Sequence, residues 1–144
     1  QEVKVIFSIT NNTGEKMPYM FGWHPAFKIM GDKQFGSFEI DEQTYTIGEV
    51  IKASQENMAL LVKGAEVITY TNKEMNYGIT ISSVGYGNAM LWCPSNDSSM
   101  FCIEPVTNLP LPEQSQEYLL SNQVEILPPG ETWRPFDRQW HRCC

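Results

Sequence analysis

The stretch EVKVIFSITNNTGEKMPYMFGWHPAF, residues 2–27, indicates the fold class because its pattern is that of a strand, a tight turn and a second strand. Every second residue from Val3 is apolar, which is typical of a strand with one buried face. NNTGEK then supplies the Asn and Gly that favour the positive φ values of a hairpin turn. Pro18 and Pro25 exclude a long helix in the second half. We therefore expect His24 at, or just past, the end of a strand.

Short apolar segments separated by turn residues continue along the chain at intervals of about 8–12 residues, as in β-sandwiches and barrels. Helical periodicity is nearly absent, although SQENMALLVKGAE, residues 54–66, is compatible with one short helical turn. The pattern predicts a single all-β domain, an antiparallel β-sandwich. Its further strands are SFEI (37–40), ALLVK (59–63), EVITYT (66–71), YGITIS (77–82), NAMLWC (88–93), MFCIEP (100–105), YLLSNQVEIL (118–127) and ETWRPFDRQW (131–140).

Composition excludes several classes of partner. The formal net charge of −7 over 144 residues disfavours nucleic acids and anionic membranes, since both attract clusters of Lys and Arg. No apolar run approaches the roughly 20 residues that a membrane-spanning helix needs. We therefore predict neither a nucleic-acid partner nor a membrane partner, and composition leaves the oligomeric state open.

Several predicted strands are apolar on both faces and need cover on both sides. The sequence also starts at QEVKVIF without an initiator Met. We therefore expect upstream strands that belong to the same core, so that residues 1–144 form the carboxyl-terminal portion of one domain.

The four cysteines do not form the pattern of a disulfide framework. Pairing across the turn PSNDSSM would oppose Cys93 to Met100 rather than to Cys102, and a bridge between the adjacent Cys143 and Cys144 would be strained. A zinc site made by His141 with the last two cysteines lacks a fourth ligand and suitable spacing. Buried free thiols in a reducing compartment are the preferred interpretation, which predicts a cytoplasmic protein.

Two residues are candidates for proton transfer. His24 lies among aromatic residues, and Glu104 ends an apolar strand, where a carboxylate is costly unless it is paired. Either residue has a structural alternative: a histidine bonded to backbone groups, or a glutamate turned to water. If the fold brings them to opposite sides of one ligand, His24 suits a general acid and Glu104 a general base with a raised pKa.

Trp23 and Trp92 are candidates for binding a sugar, because an indole face packs against the C–H face of a sugar ring while its N–H donates a hydrogen bond. Ordinary core packing is the alternative for each tryptophan. The sequence lacks a G-x-S-x-G elbow, a P-loop and a dinucleotide fingerprint, and two histidines are too few for a hydrolytic metal centre.

GWHPAF (22–27), LWCP (91–94), FCIEPVTNLP (101–110) and LPPGET (127–132) occur in an order that resembles the carboxyl-terminal half of the aldose 1-epimerase (galactose mutarotase-like) superfamily. The residues look most similar to its branch of aldose epimerase-like and hexose-phosphate mutarotase-like proteins. The resemblance implies the fold of a β-supersandwich with a sugar bound in an open cleft.

The resemblance also implies a mechanism without a cofactor or a metal. His24 would protonate the ring oxygen of a hexose or hexose phosphate, Glu104 would take the proton of the C1 hydroxyl, and Trp92 would lie near the sugar. The family's upstream Arg and His have no counterpart here, so we expect the chain alone to be inactive. A non-catalytic carbohydrate-binding module and a structural β-domain remain the alternatives.

Overall fold

The structure is a computed structural model that describes residues 3–110 and 124–135. These residues form antiparallel strands, one α-helix and a short 3₁₀ turn at Lys33–Phe35. The α-helix, α1, is Ile47–Asn57. The strands are β1 (Ile9–Thr10), β2 (Met17–Tyr19), β3 (Ala26–Lys28), β4 (Gly36–Ile40), β5 (Gln43–Thr46), β6 (Leu60–Lys63), β7 (Val67–Asn72), β8 (Tyr77–Ser82), β9 (Asn88–Trp92), β10 (Met100–Val106), β11 (Glu125–Leu127) and β12 (Thr132–Trp133).

Two four-stranded sheets pack around the main core. One sheet has the order β5-β4-β7-β8 and the other the order β3-β10-β9-β6. Phe38 and Tyr70 of the first sheet contact Phe101 of the second, with ring centroids 5.2 Å and 4.2 Å apart. All three side chains are fully buried. The prediction of an antiparallel β-sandwich is therefore confirmed.

Helix α1 closes one side of this core, and the sequence pattern missed most of it. The Thr46 hydroxyl accepts a hydrogen bond from the Glu49 N–H, and the Glu49 carboxylate accepts one from the Thr46 N–H, which forms a capping box. Ile47, Val50 and Ile51 are buried at helical spacing. The short helical turn expected within residues 54–66 is present at residues 54–57, the last turn of α1, and residues 60–63 of the same stretch form β6.

Two short ribbons, β1 with β12 and β2 with β11, enclose a second cluster of aromatic residues. Tyr19, Tyr86 and Trp133 are buried there. The Asn11 side-chain amide donates to the Leu127 carbonyl over 2.9 Å, which ties the first turn to the segment after residue 123. The predicted first strand is confined to β1, because Val3 is 80% exposed and pairs with no strand in the described part of the chain.

The six predicted strands between residues 37 and 105 are found within one residue of their predicted bounds. Strands β3 (AFK) and β5 (QTYT) were not predicted, because neither contains an alternating run of large apolar residues. Of the last two predicted strands, only Glu125–Leu127 and Thr132–Trp133 are seen, and residues 118–123 and 136–140 lie outside the described residues.

Cys93 and Cys102 are free and buried, as predicted. The ladder pairs Cys102 with Trp92, so the residue opposite Cys93 is Phe101 rather than the expected Met100. Cys143, Cys144 and His141 lie outside the described residues. In residues 3–110 and 124–135 no helix has the length and apolar character to cross a bilayer.

Candidate active site

Strand β10 separates the core from the candidate site. Phe101 and Ile103 point into the main core between the sheets. Because side chains alternate along a strand, Cys102 and Glu104 point to the opposite face of the same sheet. We call this opposite face of the sheet β3-β10-β9-β6 the outer face. Glu104 is the buried carboxylate on it.

The segment that carries His24 runs antiparallel beside β10. Ala26 pairs with Cys102, Gly22 forms an isolated bridge with Val106, and the Trp23 N–H donates to the Pro105 carbonyl over 3.0 Å. This register places His24 directly opposite Glu104. Pairing therefore resumes in β3 after Pro25, and His24 lies just past the paired Gly22 and before the next paired stretch.

Gly22 allows the close approach of these two segments. A Cβ atom built on Gly22 would lie 2.9 Å from Cγ1 of Val106, closer than real Cβ contacts allow. On the other side of Val106, the Thr107 hydroxyl accepts the Phe21 N–H over 2.9 Å, and the Thr107 N–H donates to the Phe21 carbonyl over 2.8 Å. These contacts fix the position from which His24 projects.

His24 and Glu104 are in direct contact. Nε2 of His24 lies 3.3 Å from Oε1 of Glu104, and the two side chains are 64% and 6% exposed. The contact is an ion pair when His24 is protonated. The sequence left the separation of the two groups open, and in the structure they lie side by side with the imidazole facing solvent.

Burial raises the pKa of the Glu104 carboxyl above its usual range, and the positive charge of His24 opposes part of that rise. A carboxylate with a raised pKa is a stronger base than an exposed glutamate. The arrangement therefore gives a solvent-facing proton donor next to a desolvated proton acceptor.

Trp92 lies on the outer face beside the pair, and Trp23 does not. The planes of the Trp92 and His24 rings are inclined by 69°, with centroids 6.2 Å apart, and the Trp92 side chain is half-buried. Trp23 precedes His24 in an extended segment, where neighbouring side chains point to opposite faces. Its ring contacts Phe7, with centroids 6.1 Å apart. Of the two tryptophans, Trp92 is therefore the one whose ring lies beside the His24–Glu104 pair.

Cys102 is the outer-face residue that the sequence did not suggest for the site. Potential ligand atoms of His24, Cys102 and Glu104 all lie within 4.8 Å of one another. Burial, with the nearby charge of Glu104, raises the pKa of the Cys102 thiol to about 11. The sequence could have suggested Cys102, because residues two apart on one strand point to the same face and Cys102 is two residues before Glu104.

A cavity of about 510 Å³ lies away from this pair, where α1 ends and β6 begins. Its lining is largely apolar and includes Met58, Leu61 and Pro110. Neither His24 nor Glu104 lines this cavity. We place the candidate site on the open outer face, because the groups able to transfer a proton are there.

Comparison with known proteins gives a structural likeness without a sequence match. No family model matches the sequence, and no curated protein is significantly similar to it. The galactose mutarotase related enzyme from Lactobacillus acidophilus superposes with a TM-score of 0.71 at 15% identity, over 90% of this chain and 54% of that one. The fold is galactose mutarotase-like.

A galactose mutarotase-like protein from Lactobacillus casei gives the same result, with a TM-score of 0.68 at 15% identity. The match covers 90% of this chain and 55% of that chain. The chain thus spans about half the length of the solved structures that it resembles. At this identity the likeness concerns the fold, and the chemistry rests on the residues of the outer face.

Proposed function

We propose that this chain carries the proton-transfer pair of an aldose 1-epimerase-like enzyme, which interconverts the α and β anomers of a hexose or hexose phosphate. The observation that carries the proposal is the 3.3 Å contact between the exposed His24 imidazole and the buried Glu104 carboxylate. The mutarotase-like fold and the sequence motifs around both residues support it.

The reaction requires an acid at the ring oxygen and a base at the C1 hydroxyl. Both oxygens are bonded to C1, so an acid and a base that lie side by side can serve them together. His24 gives its proton to the ring oxygen while Glu104 takes the proton of the C1 hydroxyl. The bond between C1 and the ring oxygen breaks, and C1 becomes an aldehyde carbon.

Rotation about the C1–C2 bond then presents the other face of the aldehyde. The ring hydroxyl returns its proton to His24 and attacks C1, and Glu104 returns its proton to the new C1 hydroxyl. Each residue ends in its initial protonation state, so the cycle consumes no proton and needs no redox group. Trp92, beside His24, is placed to pack against the apolar face of the sugar.

We further propose that these residues act within a longer domain, because the chain spans only 54% and 55% of the two solved structures. The rest of the pocket, including the groups that distinguish free from phosphorylated sugars, would then come from another segment. Buried free thiols are consistent with a cytoplasmic location, which is also a proposal.

The test follows the interconversion of α and β anomers of glucose, galactose and glucose 6-phosphate by NMR, using the intact protein. General acid–base catalysis contributes about 10²–10⁴-fold, so we expect His24→Ala and Glu104→Gln each to lower kcat/KM by that order. Glu39→Gln, at an exposed glutamate on β4, is the matched control. Unchanged rates in both site variants would contradict the proposal.

The alternative of a non-catalytic carbohydrate-binding module predicts a different result. Sugar would bind in a titration, but the intact protein would not accelerate anomer exchange above the buffer rate. A pair in which the base has a raised pKa favours turnover over simple binding, because binding a neutral sugar does not require an acid beside a base.

A further inference from the structure

Proton transfer uses two of the three reactive side chains clustered on the outer face. The third is Cys102, whose sulfur belongs to the same group of ligand atoms as the His24 imidazole and the Glu104 carboxylate, all within 4.8 Å of one another. Cys102 lies two residues before Glu104 on β10, so both side chains project from one strand. An imidazole, a thiol and a carboxylate together form a set of donors typical of a metal site.

The distances are close to those that a tetrahedral metal requires. Zn²⁺ binds sulfur at about 2.3 Å and nitrogen or oxygen at about 2.0–2.2 Å, which separates neighbouring ligand atoms by roughly 3.3–3.8 Å. Nε2 of His24 and Oε1 of Glu104 are 3.3 Å apart. The sulfur lies within 4.8 Å of the other two ligand atoms, so it must approach them by at most about 1 Å to complete one triangular face around the ion.

The backbone of the site is held on both sides. Cys102 is paired with Ala26 of β3 and with Trp92 of β9, and Glu104 is paired with Met90 of β9. His24 is 64% exposed, so its ring can swing by the small distance that coordination needs. Cys102 and Glu104 are thus held on a rigid strand, and His24 can adjust at the surface. An ion can enter from the side that His24 faces.

We propose that His24, Cys102 and Glu104 form a three-ligand site for a thiophilic divalent cation of the Zn²⁺ or Cd²⁺ class, and that the bound ion inhibits anomer exchange. The fourth coordination position faces solvent and would hold water. The donor set selects this class because Mg²⁺ and Ca²⁺ require six or more oxygen ligands, whereas imidazole and thiolate suit zinc and cadmium.

Inhibition follows from competition for the same atoms. A coordinated His24 nitrogen cannot carry the proton for the ring oxygen, and a coordinated Glu104 cannot accept the proton of the C1 hydroxyl. The inhibition rests on the proposed function, but binding of the ion does not.

The binding test titrates Cd²⁺ into the intact protein and follows the ultraviolet charge-transfer absorption of the cadmium–thiolate bond. The parent protein for this test carries Cys143→Ser and Cys144→Ser, which removes the two thiols outside the described residues. We expect one Cd²⁺ per chain, and we expect added Zn²⁺ to displace it.

Single substitutions in that parent assign the ligands. Cys102→Ser should abolish the absorption, and His24→Ala should weaken Cd²⁺ binding by tenfold or more while the absorption persists at saturation. Cys93→Ala is the matched control, because Cys93 is the buried thiol on the core side of the same sheet. It should bind Cd²⁺ as the parent does.

Either of two results would overturn the site: no thiolate absorption in the parent, or the same absorption after Cys102→Ser. Circular dichroism of the Cys102→Ser protein confirms that it is folded before a lost signal is counted. Inhibition of anomer exchange by Zn²⁺ is measured separately on the same proteins. If Cd²⁺ binds as expected but no anomer exchange is catalysed, the proposed function fails while the cation site stands.

Discussion

The two faces of strand β10 are equally buried but differ in chemistry. Phe101 and Ile103 on the core face and Cys102 on the outer face are fully buried, and Glu104 nearly so. On the core face the neighbours are other apolar side chains from both sheets. On the outer face burial raises the pKa of both Cys102 and Glu104. Removal from water stabilises the fold where the side chains are apolar, on the core face. On the outer face it makes the ionised forms of Cys102 and Glu104 costly, which raises their pKa values.

The largest expected effect is a loss of stability when a side chain on the core face of β10 is truncated. Phe101→Ala removes the ring that Phe38 and Tyr70 contact, and a buried Phe→Ala change typically costs about 3–5 kcal/mol. Chemical denaturation gives the free energy of unfolding. Met90→Ala, at a half-buried residue of the outer face, is the matched control, and we expect it to cost less than half as much. Equal losses would mean that both faces are packed as core.

A smaller effect is expected from removing the aromatic residue next to the site. Trp92→Ala should raise KM for the sugar by roughly 3–10-fold and leave kcat nearly unchanged, because the indole contributes packing to substrate and transition state alike. The steady-state rates of anomer exchange measure both constants. Trp23→Phe should have a smaller effect on KM, since its ring contacts Phe7. A larger effect at Trp23 would show that the sugar lies on the other side of that segment.

The smallest effect concerns stability and pH. The pKa of Glu104 is higher in the folded state than its unfolded value of 4.5. Its contribution to the free energy of unfolding is therefore fully present below pH 4.5 and is lost as pH rises through the raised pKa. Glu104→Gln removes this loss, so the variant should gain stability relative to the parent as pH rises above 4.5. The gain is roughly 1 kcal/mol for each unit of pKa shift.

Thermal unfolding between pH 4 and pH 8 measures this difference, with Glu39→Gln as the control for an exposed glutamate. A constant difference between the Glu104→Gln protein and the parent across this range would contradict the raised pKa. The expected result also separates activity from stability, because the same substitution should lower the rate and yet gain stability relative to the parent as pH rises.

The central strands were predictable because local patterns and tertiary burial agree there. YGITIS coincides with β8, and MFCIEP coincides with β10 to within one residue. Most of helix α1 was missed because only three of its residues, at helical spacing, are buried, so its apolar stripe is narrow. Its capping box, Thr46 followed three residues later by Glu49, was nevertheless recognisable in the sequence.

At the candidate site, the sequence suggested His24 and Glu104 as an acid–base pair but could not show whether the two side chains are in contact. Their direct contact depends on the register between the segment around Gly22 and β10, and register follows from long-range pairing. Trp23 was grouped with His24 because the two are adjacent in sequence, yet adjacency in an extended segment separates side chains onto opposite faces. Cys102 was passed over because a buried thiol first suggests packing.

The contact of Gly22 with Val106 has a consequence for protein engineering. Val106 is β-branched and stiff, so even one methyl group at position 22 would push the two segments apart by a few tenths of an ångström. His24 follows two residues later and would move with them. The size of the side chain at position 22 therefore sets the distance between the two segments. A small library of substitutions at positions 22 and 106 would vary the separation of His24 and Glu104 without changing either residue.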